Sequence, residues 1–197
     1  MTKAPIILGK PASNLESSNF ASKRVLATGA LGEKKTALAL EKWACSRSRD
    51  DVVIAHSLSL PGRGNGDTDH IVAVGHHILL VDSKKWKSGY SYSLTPKFEV
   101  RRSLGMKDPR GRAFKAGRVH TLAQIDKWKK ELGPDYLVGG IVVIDSNVRV
   151  VRDDNWKRSP FKIASLKELP QVLDVYLGRL HDPVVPEVVE ILSSRLL

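Results

Sequence analysis

The 197-residue chain has a single cysteine, Cys45, which excludes an internal disulfide and any zinc site built from several cysteines. That scarcity suits a reducing cytoplasm, where thiols stay reduced. No apolar run approaches the ~18 residues that a membrane span needs, and the N-terminus lacks the apolar core of a secretory signal. The expectation is a cytoplasmic protein with no membrane partner. Acidic residues are also scarce, 21 against 32 basic ones, for a formal charge of +11. A surplus of that sign favours polyanions, nucleic acid before anionic membrane. It constrains the partner and leaves the activity open. No internal repeat is visible. With 42% hydrophobic residues, the chain is globular and long enough for one domain with its own core.

The most informative stretch is Thr68–Lys84. Two apolar runs rich in Val and Ile flank Gly75-His76, which reads as a β-hairpin with a two-residue type II′ turn. The turn sets the register by arithmetic. Val74 pairs with His77, so Asp69 falls opposite Asp82, and directly paired side chains sit roughly 4.5–5.5 Å apart at Cβ. Lys84 shares the face of Asp82, and Ser83 points away. Apolar residues occupy both faces of the hairpin, so the pair is expected to be central in its sheet and covered on each side. Carboxylates at the end of such a pair repel each other unless a cation joins them, and a hard divalent metal takes carboxylate and carbonyl oxygens. An ordinary Asp82–Lys84 ion pair is the plainer alternative.

Residues 1–20 lack periodicity and read as a flexible arm. A helix is expected to begin near Gly29 and run to about Ala44, with Ala37, Leu40 and Ala44 on one stripe that Glu33 shares. Glu33 is then either an acid favoured by the dipole of a first turn or a member of the acidic cluster. A strand follows over 51–58. The glycine-rich connection at 61–68 lacks the GK[ST] of a phosphate-binding loop, although its Arg63 could touch a phosphate. Lys84-Lys85-Trp86-Lys87 interleaves ammoniums with an indole, which suits backbone contact and base stacking; a solvated turn with Trp86 packed inward is the alternative. Residues 88–113 read as one or two edge strands and a basic loop carrying Arg101, Arg102, Lys107, Arg110 and Arg112.

A second helix is expected over about 118–132, ended by Gly133-Pro134, with His120 and Gln124 on one face. Gly139–Asp145 is the cleanest buried strand. Short strands at 148–151 and 161–164 and helices at 165–180 and 185–196 follow. The fold class is α/β (mixed α+β): an α-β-β-β-α-β order with a mixed sheet flanked by helices. Antiparallel hairpin strands and a parallel crossover combine in it. Residues 21–145 form the core, and a small C-terminal α/β extension at 146–197 completes the same domain.

An acidic helix, then an Asp, then a strand ending Asp-Ser-Lys resembles the PD-(D/E)xK pattern of the restriction-endonuclease-like superfamily. The ordered set Gly29-x-x-Gly32-Glu33, Asp69-His70-Ile71-Val72 and Val81-Asp82-Ser83-Lys84-Lys85-Trp86 resembles more closely the nuclease-related domain (NERD) family, over roughly residues 25–145. No proline precedes Asp69, and Asp82 stands where Glu is commoner. The resemblance implies a restriction-endonuclease-like core and metal-dependent hydrolysis of DNA, by an endonuclease or a junction-resolvase-like enzyme. It places Glu33, Asp69 and Asp82 at the acidic positions, Lys84 at the catalytic lysine and Gln124 at a polar helix position.

On that reading Mg2+ or Mn2+ is held by Asp69, Asp82 and the Ser83 carbonyl, with Glu33 serving a second metal or a water. Lys84 orients the attacking water, acts as base if burial lowers its pKa, or stabilises developing charge. The basic residues would bind DNA, or RNA, along its backbone. A homodimer is the arrangement a resolvase would use. The rival is a non-catalytic nucleic-acid-binding protein that keeps the same fold as a platform.

Overall fold

The computed structural model describes residues 4–16, 23–62, 66–86, 89–95, 97, 100–103, 114–115, 121–145, 149–152 and 154–197. Arg63, Lys87, Lys107, Arg110, Arg112 and His120 lie outside them. Arg101 and Arg102 lie on a described strand, and only their backbone is described.

The centre is an antiparallel meander of β2 (Val52–Ser59), β3 (Asp67–Val74) and β4 (His77–Lys84). The hairpin register is the expected one: Val74 pairs with His77, Ala73 with Ile78 and so on to His70 with Val81. Gly75 takes a φ of +54°, as a tight turn matching the strand twist demands. Strand β8 (Leu137–Ile144) runs parallel to β4, with Asp82 beside Val142, and β10 (Phe161–Ser165) runs parallel to β8. With β1 (Ile6–Leu8) the order is β1-β2-β3-β4-β8-β10, a mixed six-stranded sheet.

Helices cover both faces, which is why the central strands do not alternate polar and apolar residues. On one face α2 (Lys23–Ser46) lays Leu40, Trp43 and Ala44 against Ile54, Val72, Val81 and Val143. On the other, α3 (Thr121–Leu132) and α6 (Pro186–Ser194) pack Ile125, Trp128, Val188 and Leu192 against Ile71, Leu80 and Val142. Helix α3 is the crossover between β4 and β8. It needs a close approach, because a Cβ on Gly140 would lie 2.8 Å from Thr121 Cγ2 and 3.1 Å from Ile125 Cδ1. Gly140→Ala is therefore expected to cost about 1–3 kcal/mol by overpacking. A melt should fall by about 2–4 °C per kcal/mol, and an unchanged melt would contradict this packing.

Three elements differ from the sequence expectations. Residues 6–8 lie in the sheet, not in an arm: β1 pairs parallel with β2, because β2 otherwise presents an open edge. Helix α2 starts at Lys23, six residues before Gly29. Gly29 sits inside it where Leu15 crosses, 3.2 Å from the position a Cβ would take. The strands after Trp86 make a second sheet, β7-β6-β5-β9, from Phe114–Lys115, Val100–Ser103, Ser91–Leu94 and Arg149–Val150. They have no place in the first, since β3 and β8 occupy both edges of β4.

An acidic groove at the end of the hairpin

The open end of the β3–β4 hairpin and the flank of α2 enclose a groove of about 590 Å³, lined among others by Arg24, Glu33, Asp67, Asp69, Lys84 and Trp86. Alternation along β3 puts Asp67 and Asp69 on one side of the strand. The ladder closes at His70–Val81. Beyond it the Ser83 amide donates to Asp69 Oδ2 at 2.7 Å, so the carboxylate is anchored by backbone. Asp82 is 6% exposed. Lys84 Nζ donates to its Oδ1 at 2.5 Å and Thr121 Oγ1 to its Oδ2 at 3.3 Å.

Glu33 comes over the strand ends from α2. With the helix beginning ten residues earlier, it is no first-turn acid. The dipole explanation falls away, and Glu33 is a mid-helix carboxyl, 6% exposed, in the acidic cluster. Its Oε2 is buried without a hydrogen-bond partner among the described residues. Burial, with Asp67 next and Asp82 adding, raises its pKa to about 7 against the pull of Lys84 and the Ala12 amide. Asp69 is pushed well above the usual carboxylate range by burial first, then by Asp82 and Glu33, with Lys84 and the Ser83 amide opposing. Its outer rim still meets solvent, but protein closes around the rest.

Burial opposes the Lys84 ammonium, yet Asp82, Asp69 and Asp67 outweigh it, and its pKa rises above the ordinary lysine value. With the groove in this state Lys84 is a cation and donor, not a base.

Of the other sequence candidates, Lys85 and Trp86 also line the groove. Gln124 Nε2 donates to the Asp67 carbonyl at 2.9 Å, and Trp128 Nε1 to Thr68 Oγ1 at 2.9 Å. Both tie α3 to the start of β3. Lys85 pairs with Asp145 at 2.7 Å, alongside Lys35 at 3.1 Å. Trp86 stacks on Tyr92 with centroids 4.9 Å apart, which gives one ring face to the second sheet. Asp67 and Thr121 belong to the cluster and were not singled out from the sequence. The Asp67-x-Asp69 alternation was a usable signal for the first. For Thr121 the signal was only its place one turn before Ile125.

The donor set suits a hard divalent cation: crowded carboxyl groups, those of Glu33 and Asp69 raised in pKa, and one buried carboxylate oxygen without a partner among the described residues. Among the described residues no three carboxylate, imidazole or thiol groups stand close enough to enclose a metal by themselves. The Ser83 carbonyl would have to complete the set, and the Lys84 ammonium would have to move off Asp82. A second cavity, about 480 Å³ at the far end of β4 and lined by His77, Leu79 and Tyr136, has no such cluster.

No described helix is long and apolar enough to cross a membrane. The family model described as NERD, Nuclease-related domain, matches residues 28–145, a span that holds every residue of the groove except Leu15 and three from the first turns of α2. No curated protein and no solved structure matches the chain.

Proposed function

Because the chain belongs to the nuclease-related domain family, we propose that it is a divalent-metal-dependent nuclease that hydrolyses phosphodiester bonds of DNA. The observation that carries this reading is the convergence of Glu33, Asp69 and Asp82 around Lys84, with Glu33 Oε2 buried and without a partner among the described residues. Asp69, Asp82 and the Ser83 carbonyl would hold magnesium or manganese, with Glu33 at its margin. Such an ion supplies a Lewis acid for the scissile phosphate and makes the attacking water more acidic.

The chain's own groups do the rest. Asp69, held by the Ser83 amide, and Asp82, held by Thr121, are already placed without the metal, so the movement needed when it binds is that of the Lys84 ammonium. Lys84, released from Asp82, donates to a phosphate oxygen as charge builds on it. Glu33, a buried carboxyl beside the proposed metal position, would take the proton of the attacking water. As the water oxygen bonds to phosphorus, one ester P–O bond breaks; its oxygen leaves with a proton from bulk water, and Glu33 returns the proton it took to solvent. The +11 charge draws the polyanion in along its backbone, without sequence readout.

One observation favours the rival, a binding-only protein: Lys84 occupies Asp82 at 2.5 Å, where it neutralises the cluster with no metal. Labelled linear, nicked, branched and single-stranded DNA, and RNA, incubated with magnesium, manganese or EDTA separate the two. Cleavage with either metal and none in EDTA is expected. Binding with no cleavage of any substrate would leave the rival standing. Duplex affinity should fall with salt at a log–log slope of about −0.9 per phosphate neutralised. A flat salt dependence would remove the electrostatic argument for either reading.

A further inference from the structure

On the α2 face of the sheet, where Val72 and Val81 are packed, three strands and the helix carry one polar chain. Glu41 Oε1 lies 3.2 Å from His56 Nε2. His56 Nδ1 lies 2.9 Å from His70 Nδ1, and His70 Nε2 lies 3.1 Å from Ser83 Oγ. The imidazoles are 1% and 0% exposed, on adjacent strands where His56 is paired with His70. The side chain of Glu41 keeps 33% of its surface. A polar run across a buried face is costly unless each atom is satisfied.

The chemistry of the four groups fixes the direction of the chain. Both rings are almost wholly buried, which disfavours the imidazolium, and two Nδ1 atoms 2.9 Å apart leave room for one proton between them. A neutral imidazole has one donor and one acceptor nitrogen, and a carboxylate only accepts. Apart from Glu41, His56 Nε2 has no partner among the described residues. The carboxylate beside it favours a proton on that nitrogen, although the 3.2 Å pair falls short of hydrogen-bond geometry. His56 Nδ1 is then the acceptor, His70 Nδ1 the donor and His70 Nε2 an acceptor, which leaves Ser83 to donate its hydroxyl proton. The reverse order would set a bare nitrogen lone pair against the Glu41 carboxylate.

We propose that Glu41 and His56 are positioning residues for the acidic groove: through His70 they make the Ser83 hydroxyl a donor and thereby lock the Ser83 peptide. That peptide is held from its other side by its amide on Asp69 at 2.7 Å, and its carbonyl belongs to the donor set of the nuclease reading, on which this consequence rests. Were the chain reversed, Ser83 would accept from His70 and its own proton would seek an acceptor in the groove, in competition with a metal for carboxylate lone pairs.

The test is 15N-resolved imidazole spectroscopy of the full chain without metal, followed by manganese calorimetry. In wild type, His56 is expected protonated at Nε2 and His70 at Nδ1. Glu41→Gln keeps an acceptor oxygen and should keep both tautomers. Glu41→Lys supplies a donor and should reverse them, with a melt within about 2 °C of wild type, as for a surface substitution. Manganese affinity should fall about tenfold in Glu41→Lys, in the range for groups that support metal ligands, and hold in Glu41→Gln. Reversed tautomers in wild type overturn the proposal by themselves, whether or not the variants fold. So does a manganese affinity that falls in step with charge, with Gln halfway to Lys. If wild type binds no manganese, the metal reading falls, while the spectra alone decide the hydrogen-bond direction.

Discussion

Asp82→Asn is expected to abolish cleavage and to weaken manganese binding by about 100-fold or more, because on the nuclease reading a charged ligand is lost and even supporting neighbours of ligands are worth 10–100-fold. The substitution keeps the shape of the side chain and its contact with Thr121. Lys84→Ala behaves in the opposite way toward metal. It removes the ammonium that competes for Asp82 Oδ1 at 2.5 Å, so manganese binds as well or better, and cleavage still falls by about 100- to 1,000-fold through loss of a donor to the transition state. A purely structural ion pair gives another pattern: both variants lower the melting temperature, and manganese changes neither. Calorimetry and melts of the two variants, with and without manganese, separate these outcomes. If manganese raises the wild-type melt no more than the Asp82→Asn melt, no metal binds at this hairpin.

Glu33→Gln is expected to raise the melting temperature of the metal-free protein at pH 8. The folded pKa of Glu33, about 7, lies above its ordinary 4.5. Below about pH 4.5 the carboxyl is protonated in folded and unfolded chains alike, and nothing is lost. Between there and pH 7 the unfolded chain releases its proton while the folded chain keeps it, so stability falls as the pH rises. At ~1.4 kcal/mol per pH unit, the full loss is at most about 3.5 kcal/mol. At 2–4 °C per kcal/mol, that is a gain of at most roughly 7–14 °C for the glutamine variant at pH 8 and almost none at pH 4. Magnesium should remove the advantage by pairing the ionised carboxylate of wild type. Equal melts at pH 8 would show that Glu33 carries no buried charge.

Much of the architecture was readable because local chemistry dictates it. Gly75-His76 permits one short turn, so the pairing from Val74–His77 to His70–Val81 follows by counting. Apolar residues on both faces of the hairpin require cover on both sides, and α2 and α3 provide it. The ordered acidic residues and lysine carried the family resemblance, which the match over 28–145 bears out.

Tertiary packing decided the rest. The start of α2 was misread because glycine is a weak helix former, and no local signal shows that Leu15 must pass Gly29. Glu33 was ambiguous for the same reason, since its burial depends on where strands distant in sequence end. Gln124, Lys85 and Trp86 have the residue types of a binding surface, yet their observed partners are the Asp67 carbonyl, Asp145 and Tyr92. Those partners lie 57, 60 and 6 positions away, and residue type carries no information about them. The chain from Glu41 to Ser83 crosses a helix and three strands. Each residue alone is an ordinary polar side chain, and only the stacking of β2, β3 and β4 beneath α2 brings the four into line.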